Sequence, residues 1–517
     1  MTSTSCTDLI QPLAQAEESN AVPLPSVNYT NQDFSSLKTR LSLFIQQQFP
    51  NFSDFVESDF GIMLIENWAF IGDMLSFKMD QIANENYIDT VTQIDNAMRL
   101  GEIVGFQATP PIAATALFSA TISVVLQTDL PIPSGLQVSV PTNGAPMTYE
   151  LFAADPLNNP IFGQDIIIPA GSFSNTTIVG VEGATTTETF TSNGTANQIF
   201  ALTNIPVLFD SIQVQVDGTT WTQVDAFTDS QARQEFRIEF SSSYQAFVIF
   251  GNGSGGFIPS SGSAITITYR TGGGVRGNIV TGSINFQRGF AVPGFDIFVP
   301  VAFTNYTAGM NGYDGDTIDD IRTKLPAYNQ SQQRAVTGQD YVDLTNNFVT
   351  PYNGQIGKST AVLRNAGCAG NIIDLYVLAK NGSNDLQPVG DQLKDLLSDY
   401  IQTVKMITDY VCIKDGVIVT VDTIVDVIVP KFFRKFQDQI QAQIQQALSS
   451  FYALSNWDYG DALDDTDVIK ALTSVSNITS ATVTFTSNDP NRFGDMIVTQ
   501  YFEIIRPDTT TINIIFE

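Results

Sequence analysis

Residues 269–282 read YRTGGGVRGNIVTG. Within them Gly272-Gly273-Gly274-Val275-Arg276-Gly277 satisfies G-x-G-x-x-G. In that pattern a strand-to-helix turn lets backbone N–H groups close on a pyrophosphate. The chemistry needs a strand before the glycines, a helix after them and an acid about 20 residues on. A strand is expected at 264–270, AITITYR. The next stretch, VRGNIVTGSINF, has no helical period, so it offers neither a helix dipole nor a fan of free N–H groups. A second match at 251–256, GNGSGG, also lies between expected strands. Both read as turns, and no cofactor is expected. Gly357-Lys358-Ser359 ends like a phosphate-binding loop, but Tyr352 stands where the first glycine belongs and STAVLR reads as strand.

Other catalytic chemistry is limited by composition. The 517 residues contain no histidine, which removes the commonest general base and the commonest transition-metal ligand. Cys6, Cys368 and Cys412 lack C-x-x-C spacing, so one chain builds no Cys/His zinc site and no disulfide framework. This fits folding in a reducing compartment. Asp461, Asp464, Asp465 and Asp467 are the densest acidic cluster, without the spacing of a calcium loop. Helix capping and a solvated turn explain them better. No carboxylate pair stands out for glycoside chemistry. The chain therefore reads as no enzyme, with no metal. Its net charge of −29 repels nucleic acid and anionic membranes, so neither is an expected partner. The opening MTSTSCTDLIQPLAQ has no signal-peptide pattern, and no 18 consecutive apolar residues predict a membrane span.

The fold class expected is multidomain α+β: an N-terminal helical region, a β-rich middle domain and a C-terminal two-layer α+β region. Residues 1–27 form a polar arm ending in AVPLPS. The helical region spans 28–109, with helices predicted at 35–49, 59–83 and 91–104. In the long second helix Ile65, Trp68, Gly72, Leu75, Met79 and Ile82 step by three and four, a coiled-coil-like seam. Met63, Leu64, Phe70, Ile71 and Met74 lie off that seam. A helix apolar on several faces must be buried on several faces. The pattern leaves two readings open: three helices of one chain bury each other, or the long helix also packs against partner helices. The β-rich wing spans 110–311, with short alternating runs such as 117–126, 211–216, 236–240, 246–250 and 264–269. The region 312–486 carries a helix ending at Pro326, a helix at 337–347, strands at 358–363 and 371–379, and a helix at 389–405. A long strand at 417–429 and a helix at 432–452 follow, packed as helices on one face of a small sheet. The tail 487–517 reads as extended, with INIIFE as an edge strand.

These residues carry a family resemblance. The N-terminal region from DFSSLKTRL to GEIVGF resembles the opening of baseplate J-like proteins, core wedge subunits of contractile phage tails and related injection machines. It has the turn Ser58-Asp59-Phe60-Gly61, the Asn84-Glu85-Asn86-Tyr87 stretch and the closing Gly105-Phe106. The run from FVIFGNGSGG to NIVTGSI looks like the family's middle signature. The block AGMNGYDGDTIDDIRTKLPAYNQSQQRAVTGQDYVDL looks like its next one, with Arg322, Pro326, Arg334 and Asp340-Tyr341. The similarity is collinear from about residue 28 to 486; the arm, 158–198 and the segment after Thr486 depart from it. The resemblance implies a structural subunit of the virion baseplate, assembled in the host cytoplasm. It implies partners: a second copy, as a homodimer within a ring of wedges, and a second wedge subunit held through a helical bundle. A sheath-initiating baseplate protein and the central hub or spike complete the set. Ile65, Trp68, Leu75, Met79 and Ile82 are the expected bundle contacts. The implied mechanism is a collar whose interfaces rearrange to release the hub and start sheath contraction. The alternatives are a peripheral β-rich receptor-binding protein or adhesin, and the wedge subunit of a related phage-like injection system.

Overall fold

The structure, a computed structural model, describes residues 33–49, 60–140, 147–227, 233–365, 371–380, 385–472, 475, 478–489 and 492–517. The arm 1–27, Ser58 and Asp59 of the N-terminal turn, Cys6 and Cys368 lie outside the described residues. The chain divides into two compact units. One runs up to Thr109 and includes Asp316–Asn329; the other comprises Pro110–Gly315 and Gln330–Glu517.

The first unit is helical. It holds α1 (Phe34–Gln48), α2 (Phe60–Asn84) and α3 (Ile94–Ile103). Asp33 caps α1 by accepting the Ser36 N–H at 2.9 Å. Gly72 lets α1 lie close on α2: a Cβ there would come within 2.9 Å of Leu37 Cδ1. Lys38 pairs with Glu66 across the two helices at 2.6 Å. The cap position of α3, Gln93, makes no side-chain bond. Glu85 substitutes, accepting the N–H of Thr92 at 3.0 Å and of Gln93 at 3.3 Å, and Asn96 Nδ2 at 2.9 Å. Burial pushes the Glu85 carboxyl up, but these bonds outweigh it and hold the group below its ordinary value.

The helix α4 (Ile318–Ser331) contributes its first turns to this same unit. Thr317 and Asp320 form its cap: Thr317 Oγ1 accepts the Asp320 N–H at 3.2 Å, and Asp320 accepts the Thr317 N–H at 2.9 Å. Arg322 donates to the Val91 carbonyl, and the Tyr328 hydroxyl to that of Gly105 at 3.0 Å. The Tyr328 ring meets Phe106 edge-on at 5.6 Å. The structure differs here from two sequence expectations. The sequence groups this segment with the region 312–486, whereas Asp316–Asn329 falls in one compact unit with the N-terminal helices. Pro326 was expected to end the helix, whereas the helix runs five residues further, to Ser331. Proline removes one intrahelical bond and crowds the carbonyl four residues back. The anchored Tyr328 holds the continuing turn in place.

The second unit begins with two β bodies. A seven-stranded antiparallel sheet orders Asn285–Ala291, Phe298–Asn305, Thr115–Ile122, Ser174–Glu182, Met147–Ala154 and Leu136–Val140, with Pro160–Ile161 beside Met147–Ala154. Between Glu182 and Gly272 the chain builds two four-stranded sheets around a shared core of Trp221, Phe236, Val248, Phe250, Ile265 and Ile267. The stretch 158–198, which resembled nothing, supplies Ser174–Glu182 in the middle of the large sheet. It also supplies Ala184–Thr191, paired along its whole length with Ala264–Thr271.

The glycine turn joins these bodies. Gly273 donates its N–H to the Glu182 carboxylate at 2.8 and 3.0 Å, and Val275 donates to Asp314 at 2.8 Å. Only a four-residue 3-10 turn, Gly274–Gly277, follows the strand. The turn does bind carboxylates, and they are the chain's own. A Cβ on Gly274, where φ is +59°, would lie 2.3 Å from Asp314 Oδ1 and 2.7 Å from the Tyr313 carbonyl. Gly274→Ala is therefore expected to cost about 2–4 kcal/mol, from left-handed backbone strain plus overpacking. Urea unfolding of the full chain measures it, and a loss indistinguishable from zero contradicts the assignment.

Burial pushes the Glu182 carboxyl up to about 7, with the nearby Asp314 acting the same way. The Gly273 N–H, Arg270 and Arg276 pull it down without prevailing. A carboxyl raised on folding binds its proton more tightly in the folded state. Its stabilising contribution is thus complete below the ordinary value of 4.5 and is lost as pH rises through about 7. Comparing unfolding free energies across that window, Glu182→Gln is expected to remove a decline on the order of 3 kcal/mol. Parallel pH profiles for the two proteins would contradict this.

The C-terminal part holds two α+β lobes where one small sheet was expected. In the first, Val349–Thr350, Gly354–Asn365, Asn371–Lys380 and Leu386–Gln387 form a sheet, with Asp409–Asp415 parallel to Asn371–Lys380. The helices α5 (Gly338–Asn346) and α6 (Asp391–Val404) pack on it through Tyr341, Leu344, Leu393, Leu397 and Ile401. In the second, the order is Phe493–Gly494, Ser480–Ser487, Val417–Val429 and Glu503–Phe516. Its core takes in Ile440, Ile444 and Leu448 of α7 (Gln437–Phe451) and Val468 and Leu472 of α8 (Asp465–Leu472). The break falls at Gly416, where a Cβ would lie 2.2 Å from the Tyr459 hydroxyl oxygen. The tail strand Glu503–Phe516 runs parallel to Val417–Val429, from Glu503 opposite Val417 to Phe516 opposite Val429.

Candidate partner interface

Several of the residues singled out for chemistry have structural partners. In the second glycine match, Asn252 Oδ1 accepts the N–H groups of Ser254 and Gly255 at 2.9 and 3.0 Å. Lys358 sits in the strand Gly354–Asn365 and pairs with Asp458. Asp464 accepts the Thr466 N–H at 2.9 Å, at the start of α8. Among the described residues no group of three His, Cys, Asp or Glu side chains is placed to hold a metal ion.

The feature that remains is α2. Its 25 residues make a rod about 37 Å long at about 1.5 Å per residue. At about 100° per residue its apolar side chains fall into three stripes roughly 120° apart. One stripe, Ile62, Ile65 and Ala69 with Ser76, is buried against its own chain. A second, Leu64, Trp68, Ile71, Leu75, Met79 and Ile82, is exposed. The third, Met63, Phe70, Met74 and Phe77, is exposed as well. Scattered exposed apolar residues are ordinary; two continuous stripes along one helix are not. Removing each such side chain from water is worth about 1.5–3 kcal/mol.

The structure thus brings Trp68, Leu75, Met79 and Ile82 onto one surface, with exposures of 65, 61, 62 and 66%. Ile65, at 6%, is turned inward instead. A strict three-and-four seam drifts around an α-helix, and Ile65 falls at its inner edge. Phe60 and Phe77 were not singled out from sequence, yet they are 68 and 66% exposed. A lone aromatic between Ser76 and Lys78 gives no periodic signal by itself. By length and hydropathy α2 is also long and apolar enough to cross a membrane. Asp73, however, lies next to its midpoint, and a charged residue near a bilayer centre costs about 2.5–3.5 kcal/mol on insertion scales. Glu66, Lys78 and Asp80 add to that cost.

No curated protein matches the chain. Solved structures that align with it loosely include two baseplate assemblies. One is a cryo-EM structure of the anti-feeding prophage baseplate, six-fold symmetrised: 10% identity, TM-score 0.37, covering 91% of this chain and 90% of that one. The other is a type VI secretion system TssK-TssF-TssG baseplate subcomplex: 9% identity, TM-score 0.30, covering 68% and 96%. Neither alignment is close enough to carry an argument. The family described as bacteriophage baseplate protein, N-terminal domain, matches residues 31–103. That span contains α1, α2 and α3, and with them both exposed stripes. Over residues 31–103 the chain is thus similar to the N-terminal domain of bacteriophage baseplate proteins.

Proposed function

We propose that the chain is a structural wedge subunit of a contractile phage tail baseplate or a related injection device. The observation that carries this reading is the pair of exposed apolar stripes on α2, inside the segment that matches the baseplate domain. A structural subunit needs surfaces that other chains complete, and α2 has two. Each stripe accepts one helix of a second wedge subunit or of a second copy, forming a bundle. The same reading makes copies of the chain associate within and between wedges, so that six wedges close a ring around the central hub and contact the sheath-initiating protein. The rigid helical unit and the β bodies then move as blocks while interfaces between chains rearrange, which is the physical requirement for a triggered collar. The site is the virion tail baseplate, assembled in the host cytoplasm, and no catalysis is assigned.

Co-expression with the neighbouring baseplate subunits, followed by electron microscopy, tests the reading. Y-shaped wedges or rings are expected. Isolated monomers, or flotation of the chain with lipid vesicles through α2, would overturn it.

A further inference from the structure

Residues 184–271 are an insertion in the chain of the large sheet. They leave after the strand Ser174–Glu182, return before Asn285–Ala291, and close around a core separate from that of the large sheet. Two stretches of chain connect them to it, and these cross side by side: Ala184 pairs with Thr271 and Thr185 with Arg270. Glycines stand at both crossings. Gly183 has φ +102°, and a Cβ on it would lie 2.4 Å from the Thr271 carbonyl oxygen. Gly272, Gly273 and Gly274 form the other crossing. Glycine absorbs changes in φ and ψ that other residues resist, which is what a two-stranded hinge needs.

The junction beside these crossings is largely polar. Arg270 pairs with Glu150 of the large sheet and donates to the carbonyls of Val181 and Glu182. Thr185 donates its N–H to Glu150 at 2.9 Å, Gly273 to Glu182 at 2.8 Å, and Phe209 to the Pro111 carbonyl at 2.8 Å. Leu208 packs with Ala113, Phe152, Val179 and Val181, and Tyr244 lies close over Gly315. Opening such a junction returns Arg270, Glu150 and Glu182 to water, and so recovers their desolvation cost. Polar interfaces between bodies of one chain permit relative motion where large apolar ones do not.

We propose that residues 184–271 are a hinged arm, turning as one block about Gly183 and Gly272–Gly274 and held shut by a clasp of Arg270 on Glu150 and Glu182 on Gly273. The clasp opens at lower cost than either body unfolds, so the arm moves while both cores stay intact. Glu182 also makes the clasp sensitive to pH. Facing its carboxyl are Arg270 and Arg276, Asp314 and the Tyr149 hydroxyl. Shut, it titrates at about 7; open to water, it returns to its ordinary 4.5. The shut form therefore holds the proton more tightly, and opening is favoured as pH rises between these values. The hinge belongs to the isolated chain and does not depend on the baseplate reading.

Spin labels on the full chain test it, one at Thr220 on the arm and one at Gln287 on the large sheet, with the native cysteines changed to serine. Both positions are exposed. Pulsed EPR of the otherwise native chain is expected to give one narrow distance. In E150Q/R270M a second population is expected, while residues 115–122 and 246–250 keep their native protection from hydrogen exchange. A single unchanged distance in that variant overturns the proposal. Should the variant unfold, hydrogen exchange of the native chain decides. The N–H groups of Thr185, Phe209 and Gly273 all bond at the junction. Corrected for intrinsic rates, their exchange should quicken together by about tenfold between about pH 6 and about pH 8, and should not do so in E182Q. Exchange that ignores pH, or that is as slow as at Phe118 and Val248 in the two cores, overturns the hinge. Failure of partner capture through α2 counts against the baseplate reading and leaves this result unaffected.

Discussion

Trp68→Glu is expected to leave the chain folded and to remove its capture of the proposed partner helices. Trp68 is 65% exposed, so a carboxylate there remains in water in the free chain. Surface changes away from special features fall within about 0.5 kcal/mol. In a helical bundle the same carboxylate is buried without a partner, while the largest side chain on the stripe is lost. Tryptophan is among the residues that dominate interface energetics. A loss of at least about 100-fold in affinity is expected, equivalent to about 2.8 kcal/mol. Co-purification together with thermal unfolding separates the outcomes. Ile65→Glu supplies the contrast: Ile65 is buried, so that change should unfold the helical unit itself. If Trp68→Glu unfolds the chain, or binds as the native protein does, the outward stripe is not a docking surface.

The second large effect lies at the junction of the β bodies. Arg270→Met is expected to destabilise the chain by about 3–5 kcal/mol, the range for breaking a buried ion pair from one side. Arg270 and Glu150 are paired, with side chains only 5 and 4% exposed. Arg270 also donates to the carbonyls of Val181 and Glu182 at 3.1 and 3.2 Å, and its guanidinium lies 5.4 Å from the Phe152 ring centre. Burial pushes the Glu150 carboxyl up; Arg270 and two hydrogen bonds from Thr185 outweigh it and hold the group below its ordinary value. Without the guanidinium, burial prevails and Glu150 stays in the interior as an unpaired charge or takes up a proton. Glu150→Gln in the same chain should recover part of the loss, because the unpaired charge is then gone. Urea unfolding of both single variants and the double variant gives the coupling. Additive losses would show that the pair is not coupled.

What could be read from sequence followed where physical periodicity is strong. The three N-terminal helices lie within a few residues of their predicted ends, since their apolar residues repeat at helical spacing. The surplus of apolar faces on α2 was visible for the same reason. The division into a buried stripe and two exposed ones was not, because sequence does not say which face its own chain covers. Ile65 shows the difference. In the middle region, Ala184–Thr191 reads ATTTETFT, with too few apolar residues to alternate, yet it pairs fully with Ala264–Thr271. The strand is held by its ladder more than by a hydrophobic face. Pro326 misled because a local breaker was overridden by tertiary contacts of Tyr328. The glycine match reads as a turn and is one; what sequence does not show is that its N–H groups hold carboxylates, from Glu182 and Asp314, which only the folded chain brings near.

The central claim is that the outward stripes of α2 are covered by helices of other chains. A photo-cross-linking residue at position 75, on one stripe, and another at 70, on the other, address it directly in the assembled baseplate. The account predicts that both sites cross-link to other protein chains, in the assembled particle and not in the isolated subunit. Cross-links confined to the same chain, or none at either position in the assembled particle, would contradict it.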